Sequence, residues 1–277
     1  MTAGPGGWTP TGGTGPVRRG TAATEGTTRR RTPGSGGKVK AALRLAQDIV
    51  ATMYDRRMRP GDRYLSEADA LQRHQVARGT YREALRFLEI QGVVDVRAGP
   101  GGGPEIRRPG WGQLASTIAL LLQFSDTPLR EVLEARTALE PGVARAVAMA
   151  ATDDDVAAMA ADLDAVEAGI GDYRTFAAAY LSYWDHFAAG THNGFLRVLS
   201  PALRAIVNSA GFIPNEPYRV AVLGRLRTVH AAVARHDPDA AAAAMTELEL
   251  DFYDRLTTGY PGQVDRVVAW SHLDLDP

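Results

Sequence analysis

Two arginines spaced four positions apart, Arg78 and Arg82, carry the clearest chemical signal in this sequence. Side chains at positions i and i+4 lie on the same face of a helix, and the apolar residues of the stretch 77–90 fall on another face. A guanidinium group presents a planar fork of N–H donors, which fits a guanine edge or a phosphate. The pair therefore indicates a helix that contacts a nucleic acid, with a solvated arginine face as the alternative.

The distribution of charge favours the same interpretation. The formal net charge is −1, but residues 1–108 carry 19 Lys and Arg against 10 Asp and Glu, while the remaining residues carry 12 against 22. A basic segment joined to an acidic one is typical of a module that binds a polyanion and is fused to a second domain.

The composition excludes several classes of protein and site. The chain has no cysteine, which excludes disulfide scaffolds, thiolate zinc sites and cysteine nucleophiles. No apolar run approaches the roughly 20 residues that a membrane-spanning helix needs, and no signal segment is present, so we expect a cytoplasmic protein without a membrane partner. Metalloprotease, hydrolase and dinucleotide-binding motifs are missing, and Gly37-Lys38 lacks the rest of a phosphate loop. We therefore assign no catalytic residue and no cofactor.

The first 108 residues are predicted to form a tail followed by a small domain. Residues 1–37 are rich in Gly, Thr, Pro and Arg, which predicts a disordered basic tail that either contacts DNA or only aids solubility. In 38–108, an apolar helical face starts at Val39, Ser66 and Asp69 form a capping pattern, and a third helical stretch follows. Two short strands, 93–96 and 104–106, then flank a glycine-rich tip. Three helices before a β-hairpin predict a winged helix-turn-helix.

The rest of the chain is predicted to be helical. Seven stretches with helical periodicity occupy 109–258, and 259–277 forms a C-terminal extension. The predicted fold class is therefore mainly α, with an N-terminal winged helix-turn-helix and a C-terminal all-helical bundle.

The motifs 60–67 (Pro-Gly-Asp-Arg-Tyr-Leu-Ser-Glu), 76–78 (Val-Ala-Arg), 82–89 and 92–94 resemble the DNA-binding domain of the GntR family of bacterial transcription regulators. The resemblance implies that the third helix enters the major groove of an operator. The candidate DNA-binding residues are four helix-turn-helix residues and four wing residues: Ser66, Arg78, Thr80, Arg82, Arg97, Gly101, Gly102 and Arg107.

This sequence departs from the family pattern at several DNA-facing positions. Ala68 replaces the usual basic residue, Ala77 replaces a serine, and Gly79-Thr80 replaces a Thr-Pro pair. The wing tip also lacks the arginine that is frequent in the family. We therefore expect a different operator, with Arg97, Arg107 or the tail supplying some of the missing phosphate contacts.

The second half resembles the effector-binding FCD domain (FadR C-terminal domain) of the same family. The resemblance rests on residues 134–141, the cap at 150–153, and Thr191-His192-Asn193. Such domains usually bind a divalent metal through one Asp and three His. The aligned positions here are Tyr180, Trp184, Leu226 and Leu248, none of which is a metal ligand of that kind. We therefore expect no metal, the alternative being a register-slipped site at Asp185 and His186.

The replaced positions predict an apolar or aromatic small-molecule effector. The candidate effector-binding residues are Tyr180, Tyr183, Trp184, Leu226 and Leu248, with Arg136 one helix earlier. Two alternatives remain open at this point. The large side chains either line a pocket or fill it, and Arg136 either meets a ligand carboxylate or pairs with an acid such as Glu140.

The sequence favours a ligand-responsive transcription regulator. As a homodimer it would bind a pseudo-palindromic operator in double-stranded DNA, and it would act as a repressor. Two alternatives belong to other classes: an architectural DNA binder with a plugged effector domain, and an enzyme built on the helical domain.

Overall fold

The computed structural model describes residues 35–97, 99 and 102–272. The first part of the chain contains three helices and a hairpin, bounded as α1 Ser35–Asp55, α2 Glu67–His74, α3 Arg78–Ile90, β1 Val94–Arg97 and β2 Gly103–Ile106. This order confirms the predicted winged helix-turn-helix. Helix α1 begins at Ser35, so 35–37 are helical rather than part of the tail. The rest of the predicted tail lies outside the described residues.

The DNA-binding domain has its own apolar core beneath α3. Burial of Leu45 and Ile49 on α1 against Tyr81 and Leu88 on α3 holds the two helices together. The Tyr81 side chain is almost fully buried, and that burial raises the pKa of its phenol to about 12. The inward apolar face of α3 leaves its arginines on the outside.

The turn between α2 and α3 is fixed by local polar contacts and backbone conformation. Ser66 caps α2, with its Oγ accepting from the backbone N–H of Asp69 at 3.3 Å and donating to the Asp69 carboxylate at 2.6 Å. Gln75 ends α2 with a φ of +52°, which turns the chain sharply into α3. Gly92, at a φ of +69°, ends α3 as the sequence indicated.

The wing is a two-stranded antiparallel hairpin, with Val94 opposite Ile106. The segment that precedes α2 joins its outer edge, where the Tyr64 N–H donates to the Pro104 carbonyl at 2.8 Å. At the tip, the Gly102 N–H donates to the Gly99 carbonyl at 2.9 Å. The candidate residue Gly101 lies outside the described residues.

The second part of the chain is a helical bundle, as predicted. Its seven main helices are α4 Trp111–Phe124, α5 Leu129–Ala150, α6 Asp153–Ala168, α7 Tyr173–Ala189, α8 Leu196–Asn208, α9 Glu216–Ala234 and α10 Pro238–Gly259. The short α11 Pro261–Val264 and a 3-10 turn at Trp270–His272 follow. Helix α5 packs along α10, α6 against α7, and α4 against α8. No helix of the described part is long and apolar enough to cross a membrane.

Candidate functional site

The outer face of α3 presents two arginines that are joined by one carboxylate. Arg78 and Arg82 are both exposed, and Thr80 is half-buried beside them. The Arg82 Nε donates to the Glu67 Oε1 at 3.0 Å, and the Arg78 Nε lies 3.7 Å from the same oxygen. The hydrogen bond from Arg82 lowers the pKa of Glu67, which keeps that carboxylate charged. Glu67 thus holds the two guanidinium groups side by side.

The wing adds two more exposed arginines, both paired with acids of the hairpin. Arg97 lies 3.0 Å from the Glu105 carboxylate, and Arg107 donates to the Asp95 carboxylate at 2.8 Å. The hydrogen bond to Asp95 raises the pKa of Arg107. Ser66 is exposed, with its hydroxyl engaged in the α2 cap. The helix and the wing therefore form a surface of paired but solvent-accessible guanidinium groups.

The helical domain contains a large, partly open cavity with an aromatic lining. Its volume is about 950 Å³, within the range typical of small-molecule sites. It lies among α5, α7, α8, α9 and α10. Seven aromatic residues line it: Tyr173, Phe176, Tyr180, Phe212, Tyr218, Phe252 and Tyr260. Burial raises the pKa of Tyr218, so this phenol stays neutral.

Two buried arginines, Arg136 and Arg204, line the same cavity. The Arg136 Nη2 donates to the Glu249 Oε1 at 2.7 Å. Burial disfavours the charged form of Arg136, but Glu249 and Glu140 outweigh that effect and raise its pKa. The Arg204 Nη2 is 3.4 Å from the Glu140 Oε1, a longer contact that leaves most of this guanidinium unpaired.

Several buried donors around these arginines have no acceptor among the described residues. They are the Nε of Arg136, the Nε and Nη1 of Arg204, the Nε1 of Trp184 and the hydroxyl of Tyr183. An unsatisfied buried polar group costs roughly 1–3 kcal/mol, and all of these groups can donate. Arg136 and Arg204 therefore retain unpaired donors at the buried side of the cavity. The lining also includes the carboxylates of Asp251 and Asp254.

The candidate effector residues divide into two groups. Tyr180 and Arg136 line the cavity. Tyr183, Trp184, Leu226 and Leu248 do not line it; all four are buried in the core of the bundle. The expectation of a pocket between these four side chains is corrected, because their apolar bulk fills that space.

The packing of Trp184 shows how these large side chains fill the core of the bundle. Its ring packs edge-on against Tyr183 and Phe187, and the Arg204 guanidinium carbon lies 3.6 Å from the ring centroid. The cavity opens beside this cluster, toward the C-terminal half of α10. Sequence reasoning missed the residues there, including Arg204, Phe212 and Phe252, because three separate segments supply them. Arg136 also pairs with Glu249 rather than with Glu140.

The residues at the aligned metal positions do not fit a divalent ion. Within the described ranges, no group of three or more His, Asp and Glu side chains could hold a metal ion. The register-slipped alternative fails on geometry, because Asp185 and His186 are exposed and the His186 Nδ1 lies 2.6 Å from Asp162 on α6. His236 instead bonds the Ala148 carbonyl at 3.2 Å.

Comparison with known proteins decides the family. The FCD domain model matches residues 131–250. The HTH-type transcriptional regulator Rv0494 of Mycobacterium tuberculosis is 32% identical over 206 residues, which cover 73% of this chain and 84% of that protein. The chain belongs to the GntR family of transcription regulators, with an FCD domain.

Further matches agree with this assignment. The galactonate operon transcriptional repressor of Escherichia coli is 25% identical to this GntR regulator over 211 residues, covering 74% of this chain and 90% of the repressor. The structure of Streptococcus agalactiae GntR superposes with a TM-score of 0.63 at 20% identity, covering 77% of this chain and 99% of that one, which shows a shared fold. The protein is thus a transcription regulator rather than an enzyme.

Proposed function

We propose that this GntR regulator is a cytoplasmic repressor that binds a pseudo-palindromic operator as a homodimer and responds to a small molecule in its helical domain. The observation that carries the proposal is the aromatic cavity with its buried, incompletely paired arginines. A cavity of this size and lining is typical of small-molecule sites. The domain that contains this cavity follows a winged helix-turn-helix domain whose exposed arginines are suited to binding DNA.

On the DNA side, we assign the major groove to Arg78, Thr80 and Arg82. Glu67 keeps the two arginines together, so they approach adjacent base edges or phosphates as a pair. Five further candidates, Ser66, Arg97, Gly101, Gly102 and Arg107, contact the sugar-phosphate backbone in this proposal. Phosphate contacts of that kind fix the register of the domain on DNA without reading sequence.

The effector is proposed to have an aromatic or apolar body and an acceptor-rich head such as a carboxylate. Tyr180, Phe252 and their aromatic neighbours would pack on the body. The head would accept hydrogen bonds from the guanidinium groups of Arg136 and Arg204, which line the cavity. In this proposal Tyr183, Trp184, Leu226 and Leu248 act as the wall behind these groups.

A chain of packed helices joins the cavity to the DNA-binding domain. Arg204 lies on α8, and α8 packs on α4 through a cluster that includes Ala119 and Ile206. Helix α4 starts at Trp111, shortly after the last strand of the wing in the sequence. If the effector has a higher affinity for one of two placements of α8, its binding would change the fraction of molecules whose DNA-binding domains are arranged to bind the operator.

One observation favours the architectural alternative. Three of the four side chains at the aligned ligand positions, Trp184, Leu226 and Leu248, are buried in the core, as a plugged effector domain would require. The cavity beside them is the evidence against this alternative. The two proposals differ in whether the domain binds a small molecule at all.

Isothermal titration calorimetry tests the ligand half of the proposal. Aryl and alkyl carboxylates of increasing length serve as probes, with the primary amide of each as an uncharged control. We expect saturable binding of at least one carboxylate, weaker binding of its amide, loss of binding in Arg204→Met, and no change on adding a chelator. Equal binding of acid and amide, or binding that a chelator abolishes, contradicts the proposed site.

A further inference from the structure

Two arginines and two glutamates are buried together beside the cavity: Arg136 and Glu140 on α5, Arg204 on α8, and Glu249 on α10. Both arginines line the cavity, whereas neither glutamate belongs to the lining. The four charges balance one another, so an anion that enters the cavity adds a fifth charge. A buried charge is costly unless it is paired, so the anion has to share an arginine with one of the glutamates.

The two arginines are paired unequally. The Arg136 Nη2 donates to the Glu249 Oε1 at 2.7 Å, which is a short, charge-assisted hydrogen bond. The Arg204 Nη2 lies 3.4 Å from the Glu140 Oε1, which is longer than an ordinary N–H···O bond. Arg204 is therefore the arginine whose glutamate is easier to displace.

A serine gives Glu140 a second partner on α8. Ser200 lies one turn before Arg204, and its buried hydroxyl is 3.1 Å and 3.2 Å from the two carboxylate oxygens of Glu140. Within the part of the chain that the structure describes, every side-chain hydrogen bond between α5 and α8 ends on Glu140. Glu140 therefore keeps a bond to α8 even when it no longer contacts Arg204.

The geometry of Arg204 forces a competition at one nitrogen. Its guanidinium carbon lies 3.6 Å from the centroid of the Trp184 ring, so one face of the group is covered and its edges remain for hydrogen bonds. A carboxylate that binds a guanidinium with both oxygens uses either Nε with Nη2 or Nη1 with Nη2. Both pairs include Nη2, which is the nitrogen that Glu140 contacts.

We propose that Glu140 competes with the anionic head of the effector for Arg204 and thereby sets the affinity and the charge selectivity of the site. A carboxylate that binds takes the place of Glu140 on Arg204, and Glu140 stays bonded to Ser200. This inference rests on the proposed effector and names the residue that limits its binding. The exchange replaces a contact between α5 and α8 by one between α8 and the ligand, which supplies two placements of α8.

Isothermal titration calorimetry of the full chain tests the competition. The probes are the phenylalkanoates from phenylacetate upward, each compared with its primary amide. Glu140→Gln removes the competing charge and keeps the shape of the side chain. We expect this variant to bind the best carboxylate about 10-fold more tightly than wild type, and its amide with an affinity that changes less than about 2-fold.

Ser200→Ala changes the affinity in the opposite direction if the competition is real. The variant keeps every charge in place but removes the second partner of Glu140, so Glu140 pairs more closely with Arg204. We expect carboxylate affinity to fall by about 3-fold or more. Glu131→Gln, which removes an exposed acid from the same helix as Glu140, is the matched control and should bind like wild type.

The outcomes separate this inference from the proposed function. A wild type that binds no carboxylate overturns both. A wild type that binds one, with Glu140→Gln binding no more tightly, overturns the competition alone, as does unchanged or higher affinity in Ser200→Ala. Far-UV circular dichroism and melting temperature show whether each variant is folded, and if Glu140→Gln is not, the direction of the change in Ser200→Ala decides.

Discussion

At the scale of single residues, the two arginines of α3 and the tryptophan of α7 carry the most specific claims. Arg78 and Arg82 are exposed and share Glu67, so their alanine variants should not disturb the fold. Trp184 is the opposite case, a large side chain buried among aromatic rings and a guanidinium. The expected effects of changing them therefore differ in kind.

Replacing Arg82 by Ala should weaken operator binding by about 1–3 kcal/mol if the side chain contacts a base edge, because the variant no longer has the donor fork that discriminates between bases. Fluorescence anisotropy with a labelled operator measures the change. Arg145→Ala, which removes an exposed ion-paired arginine on α5, should leave affinity unchanged. If Arg78→Ala/Arg82→Ala is folded and binds the operator like wild type, the DNA-binding assignment is wrong.

Replacing Trp184 by Ala should destabilise the protein by about 3–5 kcal/mol, because a buried ring is removed and a cavity remains. Leu181→Ala on the same helix removes a side chain that is 46% exposed and should cost clearly less. Urea denaturation followed by far-UV circular dichroism compares the two variants. A small loss of stability together with a large loss of ligand binding would instead show that Trp184 lines an open pocket.

The sequence predicted part of the site at this scale. Arg78 and Arg82 could be found because one helix contains both and its period places them together. The prediction of a site without a metal ion also rests on the sequence alone, on Tyr180, Trp184, Leu226 and Leu248 at the aligned positions. The cavity could not be predicted, because Arg204, Phe212 and Phe252 come together only after their segments pack. Local periodicity contains no information about that packing.

At the scale of elements, capping and periodicity explain why most helices were predicted correctly. The start of α6 is an example. Thr152 accepts from the Asp155 backbone N–H at 3.2 Å, and the Asp155 carboxylate accepts from the Thr152 N–H at 2.8 Å. The two residues are only three positions apart in the sequence, so this capping pattern can be recognised without a structure. The start of α1 at Ser35 was missed, because the Ser-Gly-Gly sequence there has weak helix propensity.

The α6 cap predicts a pH-dependent contribution to stability. Hydrogen bonds from the Thr152 side chain and backbone, and then from His192, lower the pKa of Asp155 from 3.8 to about 2. The folded state thus favours the charged carboxylate, and the stabilisation is complete above pH 3.8 and is lost as the pH falls through about 2. Asp155→Asn should cost roughly 1 kcal/mol at neutral pH.

Thermal or urea denaturation of wild type and Asp155→Asn over a pH series measures this effect. The difference between the two proteins should be constant from neutral pH to about 4 and then shrink toward pH 2. Asp154→Asn, in the same first turn, provides the control for helix-dipole effects alone. A difference that grows as the pH falls would contradict the assigned pKa direction.

At the scale of the whole molecule, the order of the domains was predictable, but the packing of the helix that follows the wing was not. The change from a basic first part to an acidic second part separates the two domains in the sequence. Their connection runs through α4, whose apolar composition resembles a core helix. Only the packing of α4 on α8 shows that one of its faces remains exposed.

The basic tail is a prediction that belongs to this scale. Its five arginines, at 18, 19 and 29–31, lie outside the described residues and precede α1. Deleting residues 1–34 should flatten the slope of log affinity against log salt by about 0.9 for each phosphate that the tail neutralises in the wild-type complex. Operator titrations at several salt concentrations measure the slope, with a variant carrying five Arg→Gln substitutions as the matched control. An unchanged slope would show that the tail neutralises no phosphate.

Operator affinity with and without a ligand bound in the cavity shows directly whether this regulator responds to a ligand. Fluorescence anisotropy of a labelled operator from the DNA next to the gene would be measured at increasing concentrations of the carboxylate that calorimetry finds to bind best. We expect saturation with this carboxylate to change wild-type operator affinity by about 5-fold or more, and we expect Arg204→Met to bind the operator without responding to the carboxylate. Unchanged operator affinity while calorimetry shows the cavity occupied would contradict a ligand-responsive regulator.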